Sequence, residues 1–242
     1  MALSITVLGC SGTYAAAGGA CSGYLVRSGT TTVLVDAGPG TLANVQQHVG
    51  IDGLDAVVVT HEHPDHWLEV PVLRNAMKYS LGLGALPLFS TAGTLGLAEG
   101  ITSLSPTFLP TVVADGDEVS VGDVSLRFSR THHPVETLAV RASADGGAIG
   151  YTADTSAAWP LSELGDLDLA VAEATLLDDD TDGMEVHMSA SQAGAQARAA
   201  GARRLVVTHL LPGRDAAAAV AEAADAYGAP VEAASVHATF VV

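Results

Sequence analysis

The sequence predicts an α/β (α+β) fold in which two β-sheets pack against each other and helices cover their outer faces. Short strand patterns, separated by clusters of Gly, Pro, Asp and Ser, recur along all 242 residues. In each half of the chain, closely spaced strands come first and strands that alternate with helical patterns follow, which is typical of sheets covered by helices. Because no linker or internal repeat interrupts this pattern, residues 1–242 are expected to form a single domain.

Hydrophobic periodicity locates the individual elements. The predicted strands are Ser4–Leu8, Gly23–Arg27, Thr31–Asp36, Ala56–Thr60, Leu86–Ser90, Thr111–Ala114, Glu118–Val121, Val124–Thr131, Leu138–Ala142, Gly147–Thr152, Leu167–Glu173, Arg204–Thr208, Val231–Ala233 and Ala238–Val242. The predicted helices are Thr41–His48, Trp67–Tyr79, Ser191–Ala200 and Asp215–Tyr227. Ser189 and Gln192 have the spacing of a capping box, so the third helix should begin next to Ser189.

The excess of acidic residues restricts which molecules the protein is expected to bind. The chain has 27 acidic and 10 basic residues, a formal charge of −17, and Arg203-Arg204 is its only adjacent basic pair. Proteins bind nucleic-acid backbones with Lys and Arg side chains that displace counterions, so long RNA or DNA is not an expected partner. A small anionic substrate is expected instead, bound where a metal ion makes the site locally positive.

The location can also be predicted. No apolar run reaches the roughly 18 residues of a membrane span, and the first residues alternate as a strand does, without the basic start of a signal peptide. We therefore expect a cytoplasmic protein without membrane contact. Cys10 and Cys21 lie in one Gly- and Ser-rich loop, Gly9–Gly23, and are expected to stay thiols. This loop is expected either to offer backbone N–H groups to phosphate or to be a plain flexible connection.

The segment His61-Glu62-His63-Pro64-Asp65-His66 directly follows the predicted strand Ala56–Thr60. Three imidazoles and a carboxylate do not suit a hydrophobic core, whereas a strand end that turns into a helix aims them at one point. Imidazole and carboxylate are suitable ligands for zinc, manganese or iron. The segment therefore predicts a metal site, and its size favours a catalytic site over a structural one.

Further ligands are expected at other strand ends. His133, Asp154 and His209 each follow an apolar strand, where a rigid scaffold can hold a metal ligand. Taken separately, they could equally be a capping group, a turn residue and a hydrogen-bonded core histidine. Together, and in this order, they favour the interpretation as ligands.

These motifs resemble those of the metallo-β-lactamase superfamily, and the resemblance extends from Ile5 to Val242. The motifs that carry it are Leu34-Val35-Asp36-Ala37-Gly38, Thr60-His61-Glu62-His63-Pro64-Asp65-His66, His133-Pro134, Asp154-Thr155 and Thr208-His209-Leu210. The resemblance implies a four-layer αβ/βα sandwich with two divalent metal ions in the cleft between the sheets. It implies His61, His63 and His133 as ligands of one ion. Asp65, His66 and His209 would hold the other ion, with Asp154 bridging both and Asp36 orienting the histidine loop.

Two further motifs point to one branch of this superfamily. Ala172-Glu173-Ala174-Thr175 and His187-Met188-Ser189 resemble the Glu-Ala-Thr and His-x-Ser motifs of the phosphodiesterase branch that includes tRNase Z. This resemblance implies that His187 protonates the leaving group or stabilises charge in the transition state. On the residue pattern alone, His187 could be a surface residue beside a helix N-cap. Branches with a cysteine at position 154 or a glutamate at position 63 are disfavoured by Asp154 and His63.

The spacing argues against tRNA as the substrate. Typical tRNase Z enzymes carry a basic arm between the third-motif histidine and the bridging aspartate. Here Asp154 lies only 21 positions beyond His133, which leaves no room for an arm. A smaller phosphodiester, such as a cyclic nucleotide, is the expected substrate.

The predicted reaction is hydrolysis by a hydroxide held between two divalent ions, with zinc favoured and manganese or iron as alternatives. Asp154 would bridge the ions, Asp65 would also orient the nucleophile, and His187 would assist the leaving group. An ester, thioester or lactone hydrolase is the alternative, although it gives no role to His187. A tRNA 3'-processing endonuclease and a noncatalytic metal-binding protein are weaker alternatives.

The oligomeric state is open from the sequence, with a homodimer as the general expectation. Trp67, Met77 and Tyr79 on the predicted helix Trp67–Tyr79 are expected to pack in the core. A dimer or substrate face is the alternative role for them.

Overall fold

Two seven-stranded β-sheets form the fold; each comes mainly from one half of the chain, but the last strand of the chain joins the first sheet. The computed structural model describes residues 2–180 and 186–242. The strands of the first sheet are β1 (Ser4–Gly9), β2 (Gly23–Ser28), β3 (Thr31–Val35), β4 (Ala56–Val59), β5 (Leu86–Ser90), β6 (Phe108–Val112) and β14 (Thr239–Val241). Those of the second sheet are β7 (Glu118–Val121), β8 (Val124–Arg130), β9 (Leu138–Ala144), β10 (Gly147–Tyr151), β11 (Leu169–Glu173), β12 (Leu205–Thr208) and β13 (Glu232–Ala233).

Each sheet combines an antiparallel and a parallel part. The order of the first sheet is β14-β1-β2-β3-β4-β5-β6, and that of the second is β13-β12-β11-β10-β9-β8-β7. Strands β3 to β6 are parallel to one another, as are β10 to β13. Because β8 is antiparallel to β9 and β9 to β10, strands β8, β10 and β12 run in one direction and end at the same edge.

Helices cover the outer faces of both sheets. They are α1 (Thr41–Val45), α2 (Pro64–Trp67), α3 (Val70–Asn75), a π-helical segment (Ala76–Leu81), α4 (Ala92–Ile101), α5 (Ala190–Ala199) and α6 (Ala216–Tyr227), with 3-10 turns at Ile51–Gly53, Leu161–Leu164 and Asp178–Asp180. One apolar core, to which both sheets contribute, lies between the sheets, and it includes Val33, Val58, Val140 and Val171. Two further cores lie under the helices. The four-layer αβ/βα sandwich predicted from the sequence is confirmed.

Several predicted boundaries were wrong. The strand predicted at Thr111–Ala114 lies earlier, at Phe108–Val112. Helix α4 was missed because Gly93, Gly96 and Gly100 lower its helix propensity, whereas the Thr91 hydroxyl caps it by accepting a hydrogen bond from Thr94 N at 3.3 Å. The capping box predicted at Ser189 is present and starts α5.

The predicted helix Trp67–Tyr79 is broken into α2, α3 and the π-helical segment. Trp67 and Met77 are buried, as expected of core residues, but Tyr79 is 70% exposed. Trp67 also has a local role, because its Nε1 donates to Glu62 O at 2.8 Å and thereby fixes the histidine loop. Within residues 2–180 and 186–242, no helix has both the length and the apolarity needed to cross a bilayer.

Candidate metal centre

The predicted ligands meet at one edge of the two sheets. The histidine loop follows β4, His133 follows β8 by a short turn, Asp154 follows β10, and His209 directly follows β12. Because β8, β10 and β12 share a direction, their ends supply His133, Asp154 and His209 to the same side of the cleft. The first sheet supplies the histidine loop from the opposite side.

The first group of side chains consists of His61, His63, His133 and Asp154, whose ligand atoms all lie within 4.8 Å of one another. His63 Nδ1 is 3.1 Å from Nε2 of His61 and 3.1 Å from Nε2 of His133. Asp154 Oδ2 is 3.6 Å from His61 Nε2 and 3.9 Å from His133 Nε2. Four donors around one point are what a tetrahedral metal ion requires.

The second group consists of Asp65, His66 and His209. His66 Nε2 and His209 Nε2 are 3.3 Å apart, and Asp65 Oδ2 is 3.3 Å from His209 Nε2. Asp154 faces this group as well, because its Oδ1 is 3.3 Å from His66 Nε2 and 3.4 Å from His209 Nε2. One carboxylate therefore turns one oxygen to each group, which is the arrangement of a bridging ligand.

The surroundings of Asp154 Oδ1 show whether the residues of this site fit a metal ion. The atom is buried and accepts no hydrogen bond from the residues that the structure describes, although two imidazole nitrogens lie within 3.4 Å of it. A buried carboxylate oxygen without a partner carries a large desolvation cost. Ligands bonded at ~2.0–2.1 Å in a tetrahedron lie about 3.3 Å apart, so these spacings fit first-row divalent ions. The donor set and its geometry therefore fit a dinuclear centre.

The other ring nitrogen of most of these histidines points away from the centre to a polar partner. His61 Nδ1 lies 3.1 Å from Thr60 Oγ1, His66 Nδ1 2.7 Å from Asp36 Oδ2, and His209 Nδ1 2.9 Å from Thr175 Oγ1. His133 Nδ1 lies 3.1 Å from the carbonyl oxygen of Val186. Such outer partners fix the orientation and tautomer of each ring, and they leave Nε2 free to bind a metal.

Asp36 holds the histidine loop in place from beneath the centre. Its Oδ1 accepts from Thr60 N at 2.8 Å, and its Oδ2 accepts from Tyr151 OH at 3.0 Å as well as from His66. The glycine two positions later is required by packing, because a Cβ on Gly38 would lie 1.9 Å from the carbonyl oxygen of Asp65. The motif at 34–38 thus supports the ligands both through a carboxylate and through close backbone contact.

The charges within the cluster suit metal binding. Burial lowers the pKa of His61 to about 4, so its imidazole is neutral at pH 7. Burial opposes ionisation of Asp154, but the imidazoles of His209, His66 and His61 hold its pKa well below the ordinary value. The centre therefore offers a neutral imidazole and an ionised bridging carboxylate, the forms that bind cations.

The loop Gly9–Gly23 lies against the second group. Thr13 N donates to Asp65 Oδ2 at 2.7 Å, so this N–H is used to orient a candidate ligand. Gly12 packs against His209, and a Cβ at Gly12 would approach the ring atoms Nδ1 and Cε1 to 2.8 and 2.9 Å. Both contacts were missed in the sequence, because nothing in a Gly- and Ser-rich stretch specifies which histidine it will touch.

His187 lies beside the centre, at the rim between two of its histidines. Its ring centroid is 5.3 Å from that of His133 and 5.6 Å from that of His209. Its Nδ1 bonds to Glu173 Oε1 at 2.9 Å. Burial disfavours the imidazolium, but the Glu173 carboxylate raises the pKa of His187 to about 9.

Glu173 is fully buried and is held by several donors. Its Oε1 also accepts from Thr155 N at 2.6 Å, and its Oε2 accepts from Thr175 Oγ1 at 2.6 Å and from Met188 N at 3.3 Å. The two motifs singled out in the sequence, at 172–175 and 187–189, therefore meet through this one carboxylate. Thr175 links it to His209, a contact that the sequence did not reveal.

The structure thus brings together all of the residues predicted as ligands and places His187 at their rim. These residues are His61, His63, Asp65, His66, His133, Asp154, His187 and His209. Their roles as metal ligands and as a catalytic group remain predictions.

Several known proteins are similar to this chain in fold and in sequence. Residues 31–210 match the family described as Beta-lactamase superfamily domain. The chain is similar to the Probable metallo-hydrolase YhfI of Bacillus subtilis, with 32% identity over 86% of this chain and 87% of the relative. The crystal structure of YhfI superposes with a TM-score of 0.91 and 28% identity, covering 99% of both chains.

More distant relatives carry other names. A protein named Ribonuclease Z from Mycobacterium bovis is 28% identical over 87% of this chain and 86% of its own length. The structure of unliganded yeast PDE1 superposes with a TM-score of 0.76 at 12% identity, over 100% of this chain and 99% of that one, which shows the shared fold.

Proposed function

The chain belongs to the metallo-β-lactamase superfamily, and on this basis we propose that it is a phosphodiesterase that acts on a small phosphodiester such as a cyclic nucleotide. The family and the His/Asp cluster identify it more broadly as a metal-dependent hydrolase. When bound at the two groups, divalent ions, with zinc as the proposed metal, would supply Lewis acidity and a water of lowered pKa.

The Glu173–His187 pair is the observation that carries the proposal. Cleavage of a phosphodiester expels an alkoxide, a strong base that needs a proton or a positive charge beside it. His187 borders both groups and is protonated at neutral pH because Glu173 raises its pKa to about 9. An imidazolium at the rim is therefore suited to protonate a leaving oxygen.

The residues around His187 keep this proton in place. With Nδ1 bonded to Glu173, the ring is fixed and Nε2 is the nitrogen that remains to face a substrate. The Glu173 carboxylate is itself fixed by Thr155 N and Thr175 Oγ1. Hydrolysis of a thioester or an activated ester expels a weaker base and gives this buried pair no comparable task.

Asp65 is the residue that we propose to orient the attacking water. Its Oδ2 is held by Thr13 N at 2.7 Å and lies 3.3 Å from His209 Nε2, so its position is determined from two elements. Burial opposes ionisation of Asp65, but the hydrogen bond from His209 and the charges of His66 and His209 hold its pKa well below the ordinary value. An ionised carboxylate here can accept a proton or a hydrogen bond.

The short interval between His133 and Asp154 and the charge of the protein favour a small phosphodiester over a long nucleic acid as the substrate. The interval between His133 and Asp154 is filled by the hairpin of β9 and β10, which turns at Asp145-Gly146. The adjacent basic pair is neutralised, because Arg203 bonds to Asp168 at 2.7 Å and Arg204 to Glu232 at 3.1 Å. The relatives named Ribonuclease Z support phosphodiester chemistry, whereas the net charge of −17 disfavours a long polyanion.

A cytoplasmic location and the absence of membrane or nucleic-acid partners are part of the same proposal. They are supported by the acidic composition and by Cys10 and Cys21, which are both free thiols.

A turnover panel tests the proposed activity. The zinc- or manganese-loaded protein would be assayed with bis-nitrophenyl phosphate, cyclic nucleotides, a lactone and a thioester. Hydrolysis of the phosphodiesters, and slow or no turnover of the carbonyl substrates, is expected. Turnover of the lactone or thioester without any phosphodiester cleavage would show that the proposal is wrong.

The leaving group allows a sharper test of His187. Nitrophenolate is a weak base that departs without a proton, whereas the sugar alkoxide of a cyclic nucleotide needs one. His187→Ala should therefore slow cyclic-nucleotide cleavage by roughly 100-fold or more and bis-nitrophenyl phosphate cleavage much less, with metal content unchanged.

His48→Ala is the matched control for this experiment. His48 lines a cavity with Ser4 and Thr32, which lie at the beginnings of β1 and β3, opposite to the ligand-bearing strand ends. Both substrates should be cleaved at the wild-type rate. If His187→Ala slowed the cleavage of both substrates equally, His187 would not be the proton donor.

A further inference from the structure

We infer that Arg27 is the centre of a second ligand site, which binds the phosphate group of a small organic phosphomonoester. The site is a cavity of about 440 Å³ whose wall includes Ser4, Arg27, Thr32, His48 and Val49. The inference is independent of the proposed catalytic activity, because it involves none of the residues of the candidate metal centre.

The cavity lies at the edge of the first sheet opposite to the metal centre. Strand β3 is parallel to β4, and the histidine loop follows the end of β4. Thr32 lies at the beginning of β3, and Arg27 is its cross-strand partner on β2. A ligand in this cavity therefore does not touch the metal groups.

The guanidinium of Arg27 lacks partners for two of its nitrogens. Its Nε and Nη2 are buried, and within residues 2–180 and 186–242 neither forms a hydrogen bond. Other arginines of the chain are paired with carboxylates, namely Arg203 with Asp168, Arg204 with Glu232 and Arg214 with Asp180. Buried donors of a cation are costly without an acceptor, and an anionic ligand would remove that cost.

Two hydroxyl side chains flank Arg27 on the neighbouring strands. Ser4 on β1 and Thr32 on β3 are the register partners of Arg27. Cross-strand partners point to the same face of a sheet, which here is the outer face that also carries Leu25 and Leu34. A guanidinium thus lies between two hydroxyls, each of which can donate a further hydrogen bond.

This row of donors suits a phosphate group. A guanidinium donates two parallel hydrogen bonds to a phosphate or a carboxylate, and a phosphate monoester has a third outer oxygen for the hydroxyl of Ser4 or Thr32. Inorganic phosphate would fill only a small part of 440 Å³, a volume typical of sites for small organic ligands. Ala2 and Val49 give the cavity apolar surface for the organic part.

Two acids adjoin residues of the cavity but are bound elsewhere. Asp55 Oδ2 accepts from Thr32 N at 2.8 Å, and Asp123 Oδ2 accepts from Ser28 Oγ at 2.8 Å. Neither supplies Nε or Nη2 of Arg27 with a hydrogen bond. The chain therefore leaves this arginine without a carboxylate although its acids far outnumber its bases.

His48 forms part of the wall and is not a proposed ligand contact. Its Nε2 lies 2.9 Å from His237 Nδ1, so this nitrogen is already occupied. Burial lowers the pKa of His48, and the neighbouring His237 and Arg27 lower it further. The groups that act on His48 are thus cationic, which agrees with an anion as the occupant of the cavity.

Thermal unfolding of the metal-loaded protein tests the inference. The wild type and Arg27→Met would be compared with inorganic phosphate, adenosine monophosphate and succinate, each at about 10 mM. Because the metal centre can also bind anions, the result is the difference between the two proteins. Adenosine monophosphate should raise the Tm of the wild type by about 3 °C more than that of Arg27→Met, as expected for a Kd near 1 mM, and inorganic phosphate by less.

The alternatives give different results. Equal shifts in the wild type and Arg27→Met would overturn the inference. A difference with succinate as large as that with adenosine monophosphate would overturn the assignment to phosphate. Without ligand, Arg27→Met should unfold at the same or a higher temperature, because it keeps the apolar stem and removes the unpartnered donors; a marked decrease would indicate a structural role instead.

Arg127→Met is the matched control. Arg127 lies on β8 of the second sheet, and its guanidinium donates to the carbonyl oxygen of Glu163. This variant should keep the full shift with adenosine monophosphate. Loss of the shift in Arg127→Met would show that the effect does not arise at Arg27.

A measurement on the wild type keeps the test decisive if Arg27→Met does not fold. In amide NMR spectra, adenosine monophosphate should move the cross-peaks of Ser4, Gly29 and Val49, which line the cavity. If it moved only cross-peaks of residues next to the metal centre, such as Thr13, the inference would be wrong.

Discussion

The rings of Tyr24 and Tyr151 lie 4.7 Å apart in the core between the two sheets, and each hydroxyl reaches across to the opposite sheet. Tyr24, on β2 of the first sheet, bonds to Thr208 Oγ1 at 2.6 Å. Tyr151, on β10 of the second sheet, donates to Asp36 Oδ2 at 3.0 Å. Thr208 precedes His209, and Asp36 holds His66, so this tyrosine pair joins the sheets directly beneath the candidate metal centre.

Removing either hydroxyl should destabilise the protein by different amounts. Tyr151→Phe takes a donor from a buried carboxylate and should cost about 2 kcal/mol, whereas Tyr24→Phe removes a bond between two neutral groups and should cost about 1 kcal/mol. The free energy of unfolding would be measured with a denaturant at fixed metal loading. Tyr14→Phe, at an exposed position, is the control and should be neutral; a larger loss for Tyr24→Phe than for Tyr151→Phe would contradict this reasoning.

Because Asp154 faces both groups, its substitution should lower the metal content of the protein more than substitution of a residue that belongs to one group. Asp154→Ala removes the carboxylate that faces both groups, so the protein should retain fewer than one ion per chain. His61→Ala affects only the first group and should leave about one ion. Metal content would be measured by mass spectrometry after dialysis against metal-free buffer.

Asp123→Ala is the control for Asp154→Ala, because it also removes one negative charge but lies away from the metal groups. Asp123 accepts from Ser28 Oγ at 2.8 Å and from Thr31 Oγ1 at 2.5 Å, outside the metal groups. Asp123→Ala should keep about two ions per chain. Retention of two ions by Asp154→Ala would show that Asp154 does not bridge.

The contact between Gly12 and His209 predicts a steric effect. A Cβ at Gly12 would lie 2.7 Å from His209 O and 2.8 Å from its Nδ1, closer than such atoms can pack. Gly12→Ala should therefore displace His209 and weaken metal affinity by roughly 10-fold or more. Competition with a chromogenic chelator measures this affinity.

Gly96→Ala is the corresponding control. A Cβ at Gly96 meets nothing within 4 Å, and Gly96 lies inside α4, where Ala is the better helix former. This variant should bind metal as the wild type does and unfold at the same or a slightly higher temperature. Wild-type metal affinity in Gly12→Ala would mean that the loop is free to move away from His209.

The residues predicted as ligands could be selected from the sequence because ligand chemistry is local, and the structure brings their side chains together. The histidine loop stood out by itself, whereas His133 and His209 became candidates only because they recur together, in order, at the ends of apolar strands. The layers of the fold followed from the same periodicity. Tertiary contacts were not accessible in this way: nothing in the residues around Tyr151 or Thr13 specifies that they will touch Asp36 or Asp65.

The errors in secondary structure have equally local causes. Helix α4 contains three glycines, which lower its intrinsic propensity, and packing against the first sheet stabilises it instead. The predicted helix Trp67–Tyr79 contains Pro71, which fits only the first turn of a helix, so a second helix begins at Val70. A pattern of apolar residues alone does not reveal such interruptions.

A double-mutant cycle distinguishes whether Glu173 acts through His187. Glu173→Gln keeps the shape of the side chain but removes the charge that raises the pKa of His187, so cyclic-nucleotide cleavage should fall by roughly 100-fold, as in His187→Ala. If the proton on His187 is the common cause, the double variant should be no slower than His187→Ala alone. A purely structural role would instead give losses that multiply, because Glu173 also accepts from Thr155 N and Thr175 Oγ1 in the absence of His187. The rates would be compared at equal metal content, and bis-nitrophenyl phosphate cleavage should change little throughout the cycle, since its leaving group needs no proton.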